Sequence, residues 1–242
     1  MRKIAVTGAN GGIGRAIVAA LLEGGVDVVA TCRTDEKCEA FRREMGLLYS
    51  GAKLETVVLD LESGESVRRA AAALSRKGIF ALVNNAGVMQ RHYEEGEGGV
   101  EKTLLVNYHH TRLLSELTAE FLPQGGCEVF TTSITRMFGS RNHLPGQISR
   151  EDFGQLKTYA LSKKLITRYA IDLSVRLKER GIRVNCADPG IVDSGMITMH
   201  RWYDPLADLL FRPFILKPET GARAALRALA SAETGRIFRA RT

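Results

Sequence analysis

Short apolar runs alternate along the chain with stretches whose apolar residues return every third or fourth position. The runs at 4–6, 26–32, 53–59, 79–83, 128–132, 183–187 and 236–238 predict strands. The stretches at 15–23, 36–45, 66–76, 98–122 and 220–230 predict helices, as does the one that begins at Tyr159. In that last helix Leu165, Ile166, Tyr169, Leu173 and Leu177 share one face. Strands alternating with helices imply an α/β fold, a doubly wound parallel sheet of about seven strands with helices on both faces. No linker, repeat or low-complexity stretch divides it, so a single domain over 1–242 is expected.

The ends of the predicted strands collect chemistry. Ile4-Ala5-Val6 runs into Thr7-Gly8-Ala9-Asn10-Gly11-Gly12-Ile13-Gly14 and then into a helix. Strand, glycine-rich turn and helix form the phosphate-binding unit of the Rossmann fold. Glycines let the backbone approach a pyrophosphate, and the helix start offers free N–H groups and a positive dipole end. A ligand-free tight turn would have the same glycines, but their place between the first strand and a helix favours binding. The second strand ends at Arg33, where such folds face the adenosine ribose. An acid there binds the 2′-OH, and an arginine accommodates a 2′-phosphate. Arg33 thus argues for NADP(H) over NAD(H), against the competing reading of a surface arginine. The third strand ends at Asp60-Leu61, and the fourth at Asn84-Asn85-Ala86-Gly87, small enough to lie against a flat ligand. The fifth ends at Ser133 and the sixth at Asp188-Pro189-Gly190. Ligands of such sheets bind at the carboxyl ends of the strands, where all these residues sit.

Tyr159-Ala160-Leu161-Ser162-Lys163 adds a phenol and an ammonium one helical turn apart. A free phenol titrates near pH ~10, and a neighbouring ammonium favours its phenolate. The pair can pass a proton to or from an alcohol or carbonyl oxygen. Alone, it fits equally a half-buried helix with a surface lysine. Asn107 interrupts the apolar side of helix 98–122, and a buried amide needs partners, a structural water being one option. Residues 134–158 are irregular, with Gly139, Pro145, Gly146 and Gly154, and loops this long are usually functional or mobile.

Composition narrows the classes. Lysine and arginine number 34 against 27 acids, a net charge of +7, but they are interleaved with acids rather than clustered. That favours a solvated surface, then a phosphate-bearing ligand, and no nucleic-acid partner. Cys32, Cys38, Cys127 and Cys186 form no C-x-x-C, and His92, His109, His110, His143 and His200 form no H-E-x-x-H. Free thiols in a reducing compartment, a cytoplasmic location and no metal are expected. No signal-type core follows Met1-Arg2-Lys3, and no apolar run is long enough for a membrane-spanning helix.

Taken in this order and spacing, Thr7–Gly14, Asp60-Leu61, Asn84–Gly87, Asn107, Ser133, Tyr159–Lys163 and Pro189-Gly190 resemble the short-chain dehydrogenase/reductase family over essentially the whole chain. The resemblance implies an NAD(P)(H)-dependent enzyme acting on CH–OH or C=O groups. It implies Tyr159 as the acid in reduction or the base in oxidation. Lys163 would lower the phenol's pKa and hold the nicotinamide ribose. Ser133 would hold the substrate oxygen, and Asn107 the helix bend and a relay water. For the cofactor it implies Gly8, Asn10, Gly11, Gly12, Ile13 and Gly14 at the phosphates and Asp60-Leu61 at the adenine. Asn85, Ala86 and Gly87 would pack by the adenosine, and Pro189, Gly190 and Val192 by the nicotinamide carboxamide. Asp193-Ser194 stand where a threonine is usual, a departure that bears on that carboxamide contact. The gap of 26 residues from Ser133 to Tyr159 is about twice the commoner one. Together with Gly98-Gly99-Val100-Glu101 and Gly235-Arg236-Ile237-Phe238, it is similar to the retinol-dehydrogenase-like and WW-domain-oxidoreductase-like branch.

The segment 193–216 holds Met196, Ile197, Met199, Trp202, Tyr203, Leu206, Leu209, Leu210, Phe211 and Phe214. It reads as a substrate lid packed on the core, and an apolar lid predicts a lipophilic or aromatic carbonyl or alcohol substrate. Pro205 and Pro213 break it as an amphipathic helix, so no membrane contact is expected. The apolar helices at 104–122 and 156–177 could pair between subunits, giving a homodimer or homotetramer. A catalytically silent NADPH-binding regulator or scaffold would share the fold but break the set Ser133, Tyr159 and Lys163, which is intact here.

Overall fold

Side chains along each long strand alternate between two apolar layers, and that alternation builds the molecule. The computed structural model describes residues 2–49, 51, 53–139, 147–192 and 216–240. Its strands are β1 (Ile4–Val6), β2 (Val28–Cys32), β3 (Leu54–Val58), β4 (Ala81–Asn84), β5 (Cys127–Thr131), β6 (Arg183–Asp188) and β7 (Ile237–Arg239). The helices are α1 (Gly12–Glu23), α2 (Asp35–Leu48), α3 (Gly64–Arg76), α4 (Lys102–Leu104), α5 (Thr111–Ala119), α6 (Gln155–Arg176) and α7 (Pro218–Ala230). Ala5, Val29, Leu82, Phe130 and Val184 pack with α3, α5 and α6 on one side of the sheet. Val6, Val28, Ala30, Ala81, Val83, Cys127 and Val129 pack with α1, α2 and α7 on the other. Strands covered on both faces are apolar at consecutive positions, which is why they read as unbroken runs.

The sheet order is β3-β2-β1-β4-β5-β6-β7, and every neighbouring pair is parallel. The chain winds outward from β1 to β3, returns beside β1 as β4 and winds the other way. This is the doubly wound Rossmann architecture the alternation predicts. The strand order reverses between β1 and β4, so the crevice for a ligand opens above that pair.

Several element ends differ from the sequence reading, each for a local reason. Val26 belongs to the end of α1 rather than to β2: Gly25 takes φ +72°, and Val26 N donates to Leu21 O at 2.9 Å. The helix expected over 98–122 starts at Lys102, because Gly98 and Gly99 take φ +69° and +74°, which a helix cannot contain. Glu101 caps it, accepting from Leu104 N at 3.0 Å. The same stretch then widens into π-helical hydrogen bonding over Leu105–His110, around Asn107, before α5. Inside the irregular 134–158, Ile134–Phe138 forms a short 3-10 turn and α6 begins one turn before Tyr159. Residues 193–215 of the expected lid lie outside the described residues. Its last residue, Leu216, returns to the sheet edge, where Leu216 N donates to Ile191 O at 2.7 Å.

Candidate active site

The glycine turn between β1 and α1 is shaped by contacts that only glycine permits. Gly8 takes φ +61°. A Cβ on Gly14 would lie 2.2 Å from Gly8 O and 2.8 Å from Asn85 Nδ2. The helix that follows has no side-chain cap and no acid in its first turn. By contrast, α2 is capped by Thr34 and begins Asp35-Glu36, and α3 is capped by Ser63 and carries Glu65. Bare N–H groups and an uncompensated dipole at α1 suit an anion that comes from outside the chain. Thr7 Oγ1 ties the turn to the next loop, accepting from Asn85 N and Ala86 N at 2.9 Å each.

These groups open into a cleft of about 770 Å³ along the carboxyl edge of the sheet, within the usual ~300–1,000 Å³ of ligand sites. Gly8, Asn10, Gly11, Gly12, Ile13 and Gly14 line one end, with Arg33, Asp60 and Leu61 beside them. Asn85, Ala86 and Gly87 line the middle, and Ser133, Tyr159, Lys163, Pro189, Gly190 and Val192 the other end. Of the predicted site residues, only Asn107 is not in the wall. The bare helix start and the glycine cradle fit the pyrophosphate of a dinucleotide. The length of wall fits the remainder of the cofactor.

Beside the glycine turn Arg33 is held by two acids. Arg33 Nε lies 3.3 Å from Asp60 Oδ2, and Arg33 Nη2 lies 2.6 Å from Glu62 Oε1. Glu62 also lines the cleft and had no place in the sequence reading. A carboxylate two residues past Asp60 is its only local signal.

Asn107 sits behind Gly87, whose Cβ would meet Asn107 Oδ1 at 3.1 Å and Lys163 Nζ at 3.5 Å. Its amide accepts from Val88 N at 2.8 Å and donates to Val88 O at 2.8 Å and Ser162 Oγ at 3.0 Å. The partners of this buried amide are therefore protein groups, and it fastens the loop after β4 to α6. Ser162 Oγ in turn donates to Tyr159 O at 2.7 Å. The fixed end of α6 presents Tyr159 and Lys163 to the cleft.

Lys163 is buried and donates to Thr131 O at 2.9 Å, with Nζ 5.6 Å from the Tyr159 ring centroid. Burial pulls its ammonium down to about 8, against the raising effect of Asp188 and Cys186. Burial also pushes the Tyr159 phenol up to about 12. Asp188 adds to that, and a hydrogen bond from Ser133 opposes it. In the protein without its ligands, burial is the largest influence on the phenol. Water is lost around both groups, which disfavours the charged form of each. Ser133 Oγ accepts from Thr135 Oγ1 at 3.0 Å and Thr135 N at 3.3 Å, which leaves its own proton for the Tyr159 side of the cleft. Thr135 lines the cleft and is a second residue the sequence reading missed.

A family model for short chain dehydrogenases matches residues 2–202. The chain belongs to the short-chain dehydrogenase/reductase family. Mouse polyprenol dehydrogenase is 32% identical over 243 residues, covering 94% of this chain and 71% of that protein. Human retinol dehydrogenase 11 is 30% identical over 227 residues, covering 92% and 71%. A crystal structure of a short-chain dehydrogenase from Burkholderia cenocepacia with NADP superposes with a TM-score of 0.78 at 24% identity. It covers 98% of this chain and 95% of that one. The enzyme is therefore a dehydrogenase or reductase of the retinol-dehydrogenase-like branch, acting on alcohol or carbonyl groups. No described helix is long and apolar enough to cross a membrane.

Proposed function

We propose that the enzyme interconverts a lipophilic or aromatic carbonyl compound and its alcohol with NADP(H), with Tyr159 as proton donor in reduction. The observation that carries this reading is the meeting of Ser133, Tyr159 and Lys163 at the end of the cleft remote from the glycine turn. The bound cofactor supplies a hydride to the carbonyl carbon. As the C=O π bond breaks, Tyr159 gives its hydroxyl proton to the oxygen and becomes a phenolate. Ser133 donates a hydrogen bond to the same oxygen. A phenol pushed up to about 12 stays protonated at neutral pH, the form that donates. Lys163 beside it stabilises the phenolate that forms. In this reading Asp60 contacts the adenine, Asn85 to Gly87 pack by its ribose, and Val192 meets the carboxamide through its backbone. Arg33 favours the 2′-phosphate.

The substrate class follows from the rim. Ile134, Phe138, Leu156 and Ile191 line the cleft and are 47%, 79%, 58% and 41% exposed. Apolar side chains left open around a catalytic mouth suit an apolar ligand. The retinol and polyprenol relatives carry lipophilic alcohols in their names. NADPH oxidation measured with retinoid, steroid and aromatic carbonyls should exceed that with small polar sugars, and the opposite ranking refutes the lipophilic assignment. Tyr159→Phe should lose about 10³-fold in kcat, the usual range for a general acid. An unchanged rate would sink the catalytic assignment of Tyr159, whereas a wild type that oxidises no NADPH with any of these carbonyls would be a silent cofactor-binding protein.

A further inference from the structure

Behind the catalytic wall lies an ion pair that the chemistry above does not use. Asp188 ends β6, and Arg136 lies in the 3-10 turn that follows Ser133. Neither lines the cleft. Arg136 Nη1 donates to Asp188 Oδ2 and to Ser133 O, both at 2.7 Å. Asp188 Oδ1 accepts from Gly190 N at 3.2 Å, and Asp188 O accepts from Ala240 N at 3.1 Å. The two side chains are 13% and 4% exposed. The pair therefore joins the turn carrying Ser133 to the turn carrying Pro189 and Gly190, the two sides of the reacting centre.

We propose that Arg136 and Asp188 are positioning residues for proton transfer. Their bridge fixes Ser133 against the Gly190 turn and keeps a charge-compensated carboxylate behind Tyr159 and Lys163. The inference rests on Tyr159 being the acid. A buried pair that served stability alone could be replaced by apolar groups without loss. This one also binds two main-chain atoms that aim catalytic elements. Among the described residues, Tyr159 is faced by Asp188 from β6, Ser133 from the end of β5 and Lys163 from its own helix. Lys163 is faced by Asp188 and Cys186 from β6 and by the Thr131 carbonyl. Asp188 raises both groups toward protonation. Arg136 is the cation that offsets it.

The test needs no knowledge of the natural substrate. Tyrosine labelled with ¹³C at Cζ is titrated by NMR, and the Tyr159 resonance is assigned by its loss in Tyr159→Phe. In Asp188→Asn the Tyr159 midpoint should fall by roughly one unit. In Arg136→Met the bared carboxylate should hold the phenol protonated to higher pH than in the wild type. Arg136→Lys should titrate like the wild type. In parallel, kcat for benzaldehyde reduction should fall about tenfold in Arg136→Met and Asp188→Asn. NADPH Kd should stay within about threefold, because the pair touches no cofactor. The double variant should recover part of the lost kcat, since neither charge is then left unpaired. Midpoints that do not move in opposite directions, or kcat losses that follow NADPH affinity, would overturn the proposal. If Asp188→Asn fails to fold, the contrast between Arg136→Lys and Arg136→Met decides alone. Benzaldehyde reduction that survives in Tyr159→Phe refutes the acid assignment. An inactive Tyr159→Phe beside bridge variants with wild-type kcat and titration refutes only the bridge.

Discussion

One arginine–carboxylate contact lies in the wall at one end of the cleft and another behind the wall at the other end, and the two differ in nearly every physical respect. Near the glycine turn the Arg33 side chain is 52% exposed, with Asp60 and Glu62 at 33% and 23%. At the catalytic end Arg136 and Asp188 are 13% and 4% exposed and hold main-chain atoms as well. Water screens the first contact, so it contributes little stability and can exchange partners when a ligand arrives. The second is hidden from water, so its attraction is little screened and parting it would strand a buried charge. Recognition at the first end is left to backbone shape. At the second, on the proposed reading, buried charges act on the groups that transfer the proton.

The most damaging way to break this division is to spoil the backbone shape. Gly14→Ala puts a Cβ 2.2 Å from Gly8 O, so the turn must open. NADPH affinity by fluorescence titration should drop about 100-fold or more, equivalent to about 2.7 kcal/mol. Gly11→Ala, whose Cβ would meet the same oxygen at 3.4 Å, should cost less than about tenfold. Equal losses in the two would mean that the close approach at Gly14 does not shape the site.

Next in size is removal of a buried charge at the other end. Lys163 is lowered from 10.5 to about 8 in the folded protein. The folded form thus sheds its proton before the unfolded chain does, and stability rises with pH between those two values. Below about 8 both states are protonated and the buried cation destabilises fully. Lys163→Met should therefore raise stability at pH 7 by on the order of 2 kcal/mol, after the loss of its bond to Thr131 O. It should also flatten the rise above pH 8 and abolish turnover. Arg33→Met, at the exposed end, should move stability by less than about 0.5 kcal/mol. Chemical denaturation at several pH values measures both, and a less stable Lys163→Met would mean that the lysine's contacts outweigh its burial.

The sheet, its winding and the glycine turn were legible because each depends on short-range pattern. Strands buried on both faces are apolar at most positions, and Gly14 must be glycine for a clash only six residues away. Tyr159 and Lys163 share a helix face for equally local reasons. The bridge was not legible, because Arg136 and Asp188 are 52 residues apart and meet only through the adjacency of β5 and β6. Thr135 was hidden because its role depends on where the 3-10 turn aims a hydroxyl. The burial of Lys163 and Tyr159 was hidden for a related reason. Spacing shows that a cation is near, but not that the same wall strips water from both partners.

The smallest predicted effect tests the exposed end itself. On the proposed reading Arg33 turns toward a 2′-phosphate while Asp60 and Glu62 compete for it, so part of the affinity for NADPH goes into separating charges. Glu62→Gln removes one competitor and leaves Asp60 in place. NADPH should bind about threefold more tightly, the scale of a surface ion pair, while NADH, with no 2′-phosphate, changes little. Raising NaCl to about 0.5 M should shrink the gain, because the contact lies in screened solvent. Isothermal titration with both cofactors at two salt concentrations measures it. A gain shared equally by NADH would show that Glu62 acts on the adenosine as a whole and that Arg33 does not read the 2′ position.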